Sequence, residues 1–170
     1  MIQIVPAGLG DVHEIARLAG VVWHAHYPGI ISREQIDYML AKMYDLDVLR
    51  REMSEGITYI RLLEKGEMIA FASYGPDGAE MKLHKLYVHP QQQRHGFGRA
   101  LLDYVERASR ERTLILTVNK RNHQAIAAYR KHGFAIRESI VIDIGGGFVM
   151  DDYVMAKAGS GSPTDKSGSR

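Results

Sequence analysis

A chain of 170 residues, 45% hydrophobic and 25% charged, has apolar side chains enough for one continuous core and little length for a second domain. Its 22 Lys plus Arg against 20 Asp plus Glu leave a formal charge of +2; backbone-led nucleic-acid binding lacks its broad basic field, and any basic site has to be local. There is no cysteine, which excludes disulfides, thiolate metal sites, cysteine nucleophiles and S-palmitoylation, and accords with a reducing compartment.

Ile2 to Val5 alternates like a short strand, and Asp11 is placed to cap a helix carrying Val12, Ile15, Ala16, Leu18 and Ala19. Ser32 followed by Gln35 has the capping-box form and opens a second helix with Ile36, Met39, Leu40 and Met43 on one face. Asp45 to Met53 adds a further helical turn or two. Ile57 to Leu63, Met68 to Tyr74 and Ala79 to Val88 are β-rich runs between short polar turns, one of them Gly75-Pro76-Asp77-Gly78, and predict an antiparallel meander. The period then changes. Gly98 to Arg110 is a helix, Thr113 to Val118 a strand, and Asn122 to His132 a helix that stops at Gly133. Phe134 to Ile144 and Phe148 to Ala156 close the chain as strands around Gly145-Gly146-Gly147.

This order predicts an α/β fold of the α+β kind, about seven strands in a mixed, mostly antiparallel sheet with helices on both faces. Residues 1–157 form the expected domain. Residues 158–170 (AGSGSPTDKSGSR) hold no large apolar side chain and are expected to be a flexible tail. No apolar run approaches the ~18–20 residues that span a bilayer, and Met1 to Pro6 lacks a signal peptide's basic start and apolar stretch. The sequence therefore reads as cytoplasmic, with neither membrane nor nucleic acid as partner.

The densest chemical signal is Leu86-Tyr87-Val88-His89-Pro90 followed by Gln93-Arg94-His95-Gly96-Phe97-Gly98-Arg99, a strand feeding a glycine-containing loop into a helix. Main-chain N–H groups at a helix start have no intrahelical acceptor and the dipole there is positive, so the amides of Arg94 to Arg99 can grip a pyrophosphate. Glycines at 96 and 98 let phosphate oxygens approach the backbone, and Arg94 and Arg99 add charge. A P-loop would need Gly-Lys-Ser/Thr, and the dinucleotide fingerprint three spaced glycines with a later acidic residue; neither is present.

Together with Asn119, Asn122, Ala125, Tyr129, Gly133 and Phe134, this stretch resembles the GCN5-related N-acetyltransferase (GNAT) superfamily. In that superfamily Gln/Arg-x-x-Gly-x-Gly/Ala marks the acetyl-CoA pyrophosphate loop. The likeness spans Ile2 to Ala156 in element order, and a second motif, Asn-x6-Tyr-x3-Gly-Phe, follows the loop after a strand. What the resemblance implies is an acetyl-CoA-dependent N-acetyltransferase. Leu86, Tyr87 and Val88 would pair with the pantetheine, Arg94 to Arg99 would hold the pyrophosphate, Asn122 would face the CoA arm, Gln93 and Asn119 would be further cofactor-binding residues, and Tyr129 would be the general acid. It also admits a homodimer.

The chemistry of the Tyr129 assignment is sound. Thioester aminolysis expels a thiolate whose conjugate acid lies near the ~8.5 reference for a thiol, against ~10 for tyrosine, an uphill transfer of only ~2 kcal/mol before the site tunes either group. A second sign lies in the fourth strand, where Met81 and Leu83 occupy one parity and Leu86 and Val88 the other. A bulge near His84 to Lys85 would produce that switch. By the resemblance it would free an amide, that of Leu86, to polarise the thioester carbonyl.

A general base is harder to place. Thr117 stands where some relatives carry a glutamate, leaving Glu80, His84, His24 and His26 as candidates. His24 and His26 are two apart at a helix end and point different ways, so no metal is expected. Val22-Trp23-His24-Ala25-His26-Tyr27-Pro28-Gly29-Ile30-Ile31 most resembles the bacterial polyamine acetyltransferase branch, which implies a small-molecule amine acceptor. Glu34, Asp37, Asp45 and Asp47 could attract a polycation or form a solvated face. A protein N-terminus or lysine as acceptor, and a non-catalytic acyl-CoA sensor, stay open as alternatives.

Overall fold

A computed structural model describes residues 1–160. Its elements run β1 (Ile2–Pro6), α1 (Val12–His26), α2 (Arg33–Met43), α3 (Leu46–Ser54), β2 (Thr58–Glu64), β3 (Glu67–Asp77), β4 (Glu80–Val88), α4 (Phe97–Ser109), β5 (Leu114–Asn119), α5 (His123–Lys131), β6 (Ala135–Gly145) and β7 (Phe148–Lys157). One seven-stranded sheet has the order β1-β2-β3-β4-β5-β7-β6, antiparallel except where β4 meets β5. The mixed sheet, with helices on both faces, is the architecture anticipated from the sequence. No helix among the described residues is long and apolar enough to cross a membrane.

Local chemistry sets the helix starts. Ser32 Oγ accepts from Gln35 N at 3.1 Å, and Asp45 Oδ1 from Asp47 N at 3.0 Å. Asp11 behaves differently from expectation: it precedes α1 but accepts from Gly8 N (2.8 Å) in the preceding 3-10 turn and pairs with Arg61 at 3.0 Å. It therefore ties the entry of α1 to β2. The Gly75-to-Gly78 cluster is also only partly a turn. Gly75, Pro76 and Asp77 continue β3 against β4, which Pro76 tolerates because β2 ends its pairing at Tyr74 and asks for no donor there. Of the expected tail, Ala158 to Ser160 are described, and Gly159 lies against the Glu111 backbone; residues 161–170 lie outside the described residues.

Two features of β4 shape the molecule. The β3–β4 register runs Ser73↔Lys85 and then Tyr74↔Leu83, so His84 is an extra residue, a β-bulge at the position the parity switch indicated. Met81 and Leu83 before it, and Leu86 and Val88 after it, all pack on the face covered by α4 and α5, while Tyr87 and Lys85 turn to the face of α1 to α3. Beyond the bulge β4 and β5 also part. Their pairing is limited to Met81↔Leu114 and Lys82↔Ile115, after which the strands have no partner in each other.

The cores on the two sides keep this opening rigid. On one face Leu101, Leu102 and Val105 of α4 and Ile126 of α5 pack on Leu83, Leu116 and Met155. On the other, Trp23 of α1, Ile36 of α2 and Leu49 of α3 pack on Tyr59 and Phe71. Next to the bulge the 4% exposed Lys85 is a cation inside this second core. Its Nζ donates to Tyr59 Oη at 2.7 Å and to both Glu52 oxygens at 3.0 Å, while Tyr59 Oη donates to Glu52 Oε2 at 2.7 Å. Burial lowers the Lys85 ammonium below its usual range and Glu52 opposes that shift.

Removing Glu52 strands this cation. Glu52→Ala should destabilise the protein by about 3 kcal/mol in urea unfolding, the lower end of the effect of breaking a buried pair because Glu52 retains some exposure. The Glu52→Leu/Lys85→Met double variant should recover most of that loss.

Candidate active site

The opening between β4 and β5 leads into a cavity of about 900 Å3. It is floored by β4 from Leu83 to Val88 and by β5 from Leu116 to Asn119. One end is walled by α4 and α5, the other by α1 and α2 through Trp23, Tyr27, Gln35 and Met39. Residues from both faces of the sheet therefore meet through the gap.

Leu86, Tyr87 and Val88 line it as expected, and the ladder shows where their N–H groups point. Met81 N bonds Thr113 O, on the β5 side, at 2.9 Å; past the bulge His89 N bonds Ile69 O, on the β3 side, at 2.8 Å. The extra residue has inverted the parity. By alternation the amides of Leu86 and Val88 face the gap, where no strand receives them.

The loop before α4 supplies further unpaired donors. Among the described residues no main-chain N–H from Gln93 to Arg99 has an acceptor, and the first bond of α4 is Ala100 N to Gly96 O at 3.0 Å. Arg94 (φ 67) and Gly96 (φ 81) are in left-handed conformations that curl these amides around one concavity. Gly98 lies beside β4: a Cβ there would be 3.7 Å from the side chains of Leu86 and Val88. Gln93, Arg94, Gly96, Phe97, Gly98 and Arg99 all line the cavity. His95 does not; its ring lies edge-on to Phe97 at 5.8 Å, so its place in the motif is a backbone place.

Asn119 and Asn122 line the cavity with their carbonyl oxygens already engaged. Asn119 Oδ1 accepts from Arg121 N at 2.9 Å. Asn122, 5% exposed, caps α5 through Ala125 N (3.3 Å) and lies 3.0 Å from His26 Nε2. Tyr129, on the α5 face, packs edge-on against Phe134 at 5.6 Å. Its hydroxyl has no hydrogen-bond partner among the described residues, and burial, with Tyr27 nearby, raises its pKa, so it holds its proton at neutral pH.

The candidate bases separate on inspection. Glu80 is outside the cavity, paired with Arg137 at 2.7 Å, and His24 lies 3.6 Å from Asp37 on the surface. His26, His84 and Thr117 do line it. None of Glu34, Asp37, Asp45 and Asp47 is in the lining; Asp45 caps α3 and Asp47 pairs with Arg50, so these acids are surface groups. Asp103, Glu106 and His132 bring ligand atoms within 4.8 Å of one another, but Lys157 already pairs with Glu106 as does His132.

Sequence reasoning passed over one group of the lining. Asp152, on β7 opposite Asn119, is 3% exposed and opens onto the cavity. Burial, then Asp151, raises its pKa to about 6. Nothing in the sequence separates Asp151 from Asp152; the β5–β7 register and burial show which of the two turns inward.

Orphan amides and an open strand edge lining one cavity suit a long anionic ligand, and comparison with known proteins supplies the class. Residues 22–134 match the Acetyltransferase (GNAT) family, and the chain belongs to that family. It is an N-acetyltransferase whose cosubstrate is acetyl-CoA. It is 30% identical over 107 residues to the uncharacterised N-acetyltransferase YuaI of Bacillus subtilis, an alignment covering 60% of this chain and 61% of that protein. It is 22% identical over 146 residues to the spermidine N(1)-acetyltransferase of Thermoplasma acidophilum, covering 81% and 91%. The crystal structure of PaiA N-acetyltransferase from Thermoplasma acidophilum with coenzyme A has the same fold, with TM-score 0.79, 23% identity and coverage of 93% and 99%.

If the Gln93–Arg99 amides hold the pyrophosphate, CoA alone should raise Tm with the logarithm of its concentration. At a hundredfold excess over Kd this is ~2.7 kcal/mol, about 5–10 °C for a chain of this size. Gly98→Glu should abolish the shift and leave the apoprotein folded, as scanning calorimetry with and without CoA will show.

Proposed function

We propose that this protein moves the acetyl group of acetyl-CoA directly to a primary amine of a small, polyamine-like molecule, with Tyr129 protonating the departing CoA thiolate. The observation that carries this reading is that Tyr129, whose hydroxyl has no partner among the described residues, lines the same cavity as Leu86, whose amide faces the gap between β4 and β5. The orphan donors from Gln93 to Arg99 suit a diphosphate, and the strand edge at Leu86 to Val88 suits the amide-bearing pantetheine. The thioester so placed offers its carbonyl to the Leu86 N–H, which favours charge developing on that oxygen.

Support for a small amine comes from the far end of the cavity. Tyr27 and Tyr87 hydroxyls lie 3.3 Å apart beside Trp23, an aromatic wall of a kind that suits the methylene stem and cationic head of an alkylamine. The spermidine acetyltransferase relative points the same way. Tyr129 gives one proton to sulfur as the C–S bond breaks and recovers one from the nitrogen that has become an amide.

Tyr129→Phe keeps the ring and its contact with Phe134, so CoA affinity should be unchanged. Because the hydroxyl acts when charge gathers on sulfur, kcat and kcat/KM should fall together by ~100-fold, or ~2.7 kcal/mol. Full turnover by the variant, with chemistry shown to be rate-limiting in single-turnover assays, excludes the role. A panel of polyamines, amino acids and peptides separates a small-molecule acceptor from a protein terminus or lysine, and binding of acetyl-CoA without any acetylation marks a sensor.

A further inference from the structure

Asp152 is a group the architecture does not otherwise explain. It sits near the middle of β7, paired with Asn119 of β5, and is 3% exposed. No side-chain hydrogen bond or ion pair reaches its carboxylate among the described residues; the adjacent Lys120 pairs with Asp151 instead, at 2.5 Å. A buried carboxylate without a partner is costly, and folds retain one where a ligand supplies the missing partner. Its cavity is the one that holds Tyr129.

Resting on the acetyltransferase reading, we infer that Asp152 is the carboxylate that receives the acceptor's ammonium and takes its proton. Three observations converge on it. Its face of the sheet is that of Thr117, Met150 and the α1–α2 wall, the acceptor end, whereas Tyr129 approaches from the α5 face. The four surface acids that could have drawn a polycation lie outside the cavity, leaving Asp152 as its unpaired anion among the described residues. Its surroundings, chiefly burial, raise its pKa to about 6, bringing it about a hundredfold closer in equilibrium constant to an amine than an ordinary carboxylate.

The step balances. The Asp152 carboxylate accepts one proton from R–NH3+, and the freed amine lone pair forms the C–N bond to the thioester carbon. The C–S bond breaks and Tyr129 protonates the sulfur. The nitrogen's second proton restores the Tyr129 phenol, and Asp152 sheds its own to solvent, so the net products are the amide, CoASH and one proton. Tyr27 at the end of α1, Asp151 and Lys120 beside the strand, and Lys82 from β4 are the charged or titratable groups that act on Asp152.

The test uses the full chain with acetyl-CoA and spermidine as probe. Asp152→Asn should lower kcat/KM for spermidine a hundredfold or more while the CoA-induced Tm shift is unchanged. Asp152→Glu, which retains a carboxylate, should recover part of the loss. The acidic limb of the pH–kcat/KM profile near 6 should vanish in Asp152→Asn. The apoproteins add a readout. The folded pKa lies above the unfolded one, so wild type loses stability as pH rises through about 4 to 6; Asp152→Asn should therefore melt higher than wild type at pH 8 and equally at pH 4. Activity within threefold of wild type overturns the inference alone. Loss of the CoA shift in both Asp152→Asn and Asp152→Glu makes Asp152 structural and also overturns it. Wild type that binds CoA yet acetylates no amine in the panel overturns the acetyltransferase reading, and this inference with it.

Discussion

The rest of the structure depends on a defect: two neighbouring strands in the middle of a sheet stop pairing. Past Lys82 and Ile115 the edges of β4 and β5 face each other with no ladder between them. Each buried N–H left without an acceptor costs ~1–3 kcal/mol, a cost borne only where other interactions fix the geometry. Here the fixing elements are the α4 and α5 core on one face, the α1 to α3 core on the other, and the Lys85–Glu52–Tyr59 network beside the bulge. The bulge at His84 converts this defect into a directed one. By inverting parity it turns the Leu86 and Val88 amides toward the gap and keeps their side chains in the core.

From that gap the division of labour follows. The polar loop of Gln93 to Arg99 and the free edge of β4 lie toward α4, where a long anionic ligand can lie along the strand. The aromatic wall of Trp23, Tyr27 and Tyr87 lies toward α1 and α2. Tyr129 and Asp152 stand on opposite faces of the sheet and open into the same cavity. In the proposed reaction the first would protonate the departing thiolate and the second would take the proton of the attacking amine.

Much of this was legible because the signals were local. The Gly96-Phe97-Gly98 loop announces itself through backbone demands, and Gly96 does adopt a left-handed conformation. The parity switch between Leu83 and Leu86 located the bulge. Other features depended on partners distant in sequence. Glu80 and His24 have the chemistry of a base but lie outside the cavity, beside Arg137 and Asp37, positions that no spacing rule reveals. His95 lies within the motif yet outside the cavity, since the loop offers amides there and not a side chain. Asp152 was illegible because its burial comes from the pairing of β7 with β5, and the splay because it arises from two strands separated by a whole helix.

The fold leaves the Leu86 N–H unpaired, and in the proposed reaction the cosubstrate takes it up. Amide hydrogen exchange resolved by residue tests it directly, because Tyr87 and His89 face β3 and Leu86 faces the gap. Fast exchange is expected at Leu86 in the free protein beside a protected Tyr87, and strong protection of Leu86 on adding acetyl-CoA. Leu86 as protected as Tyr87 without ligand would show that its N–H is paired in the fold, and Leu86 unchanged by ligand would show that the cosubstrate does not take it up.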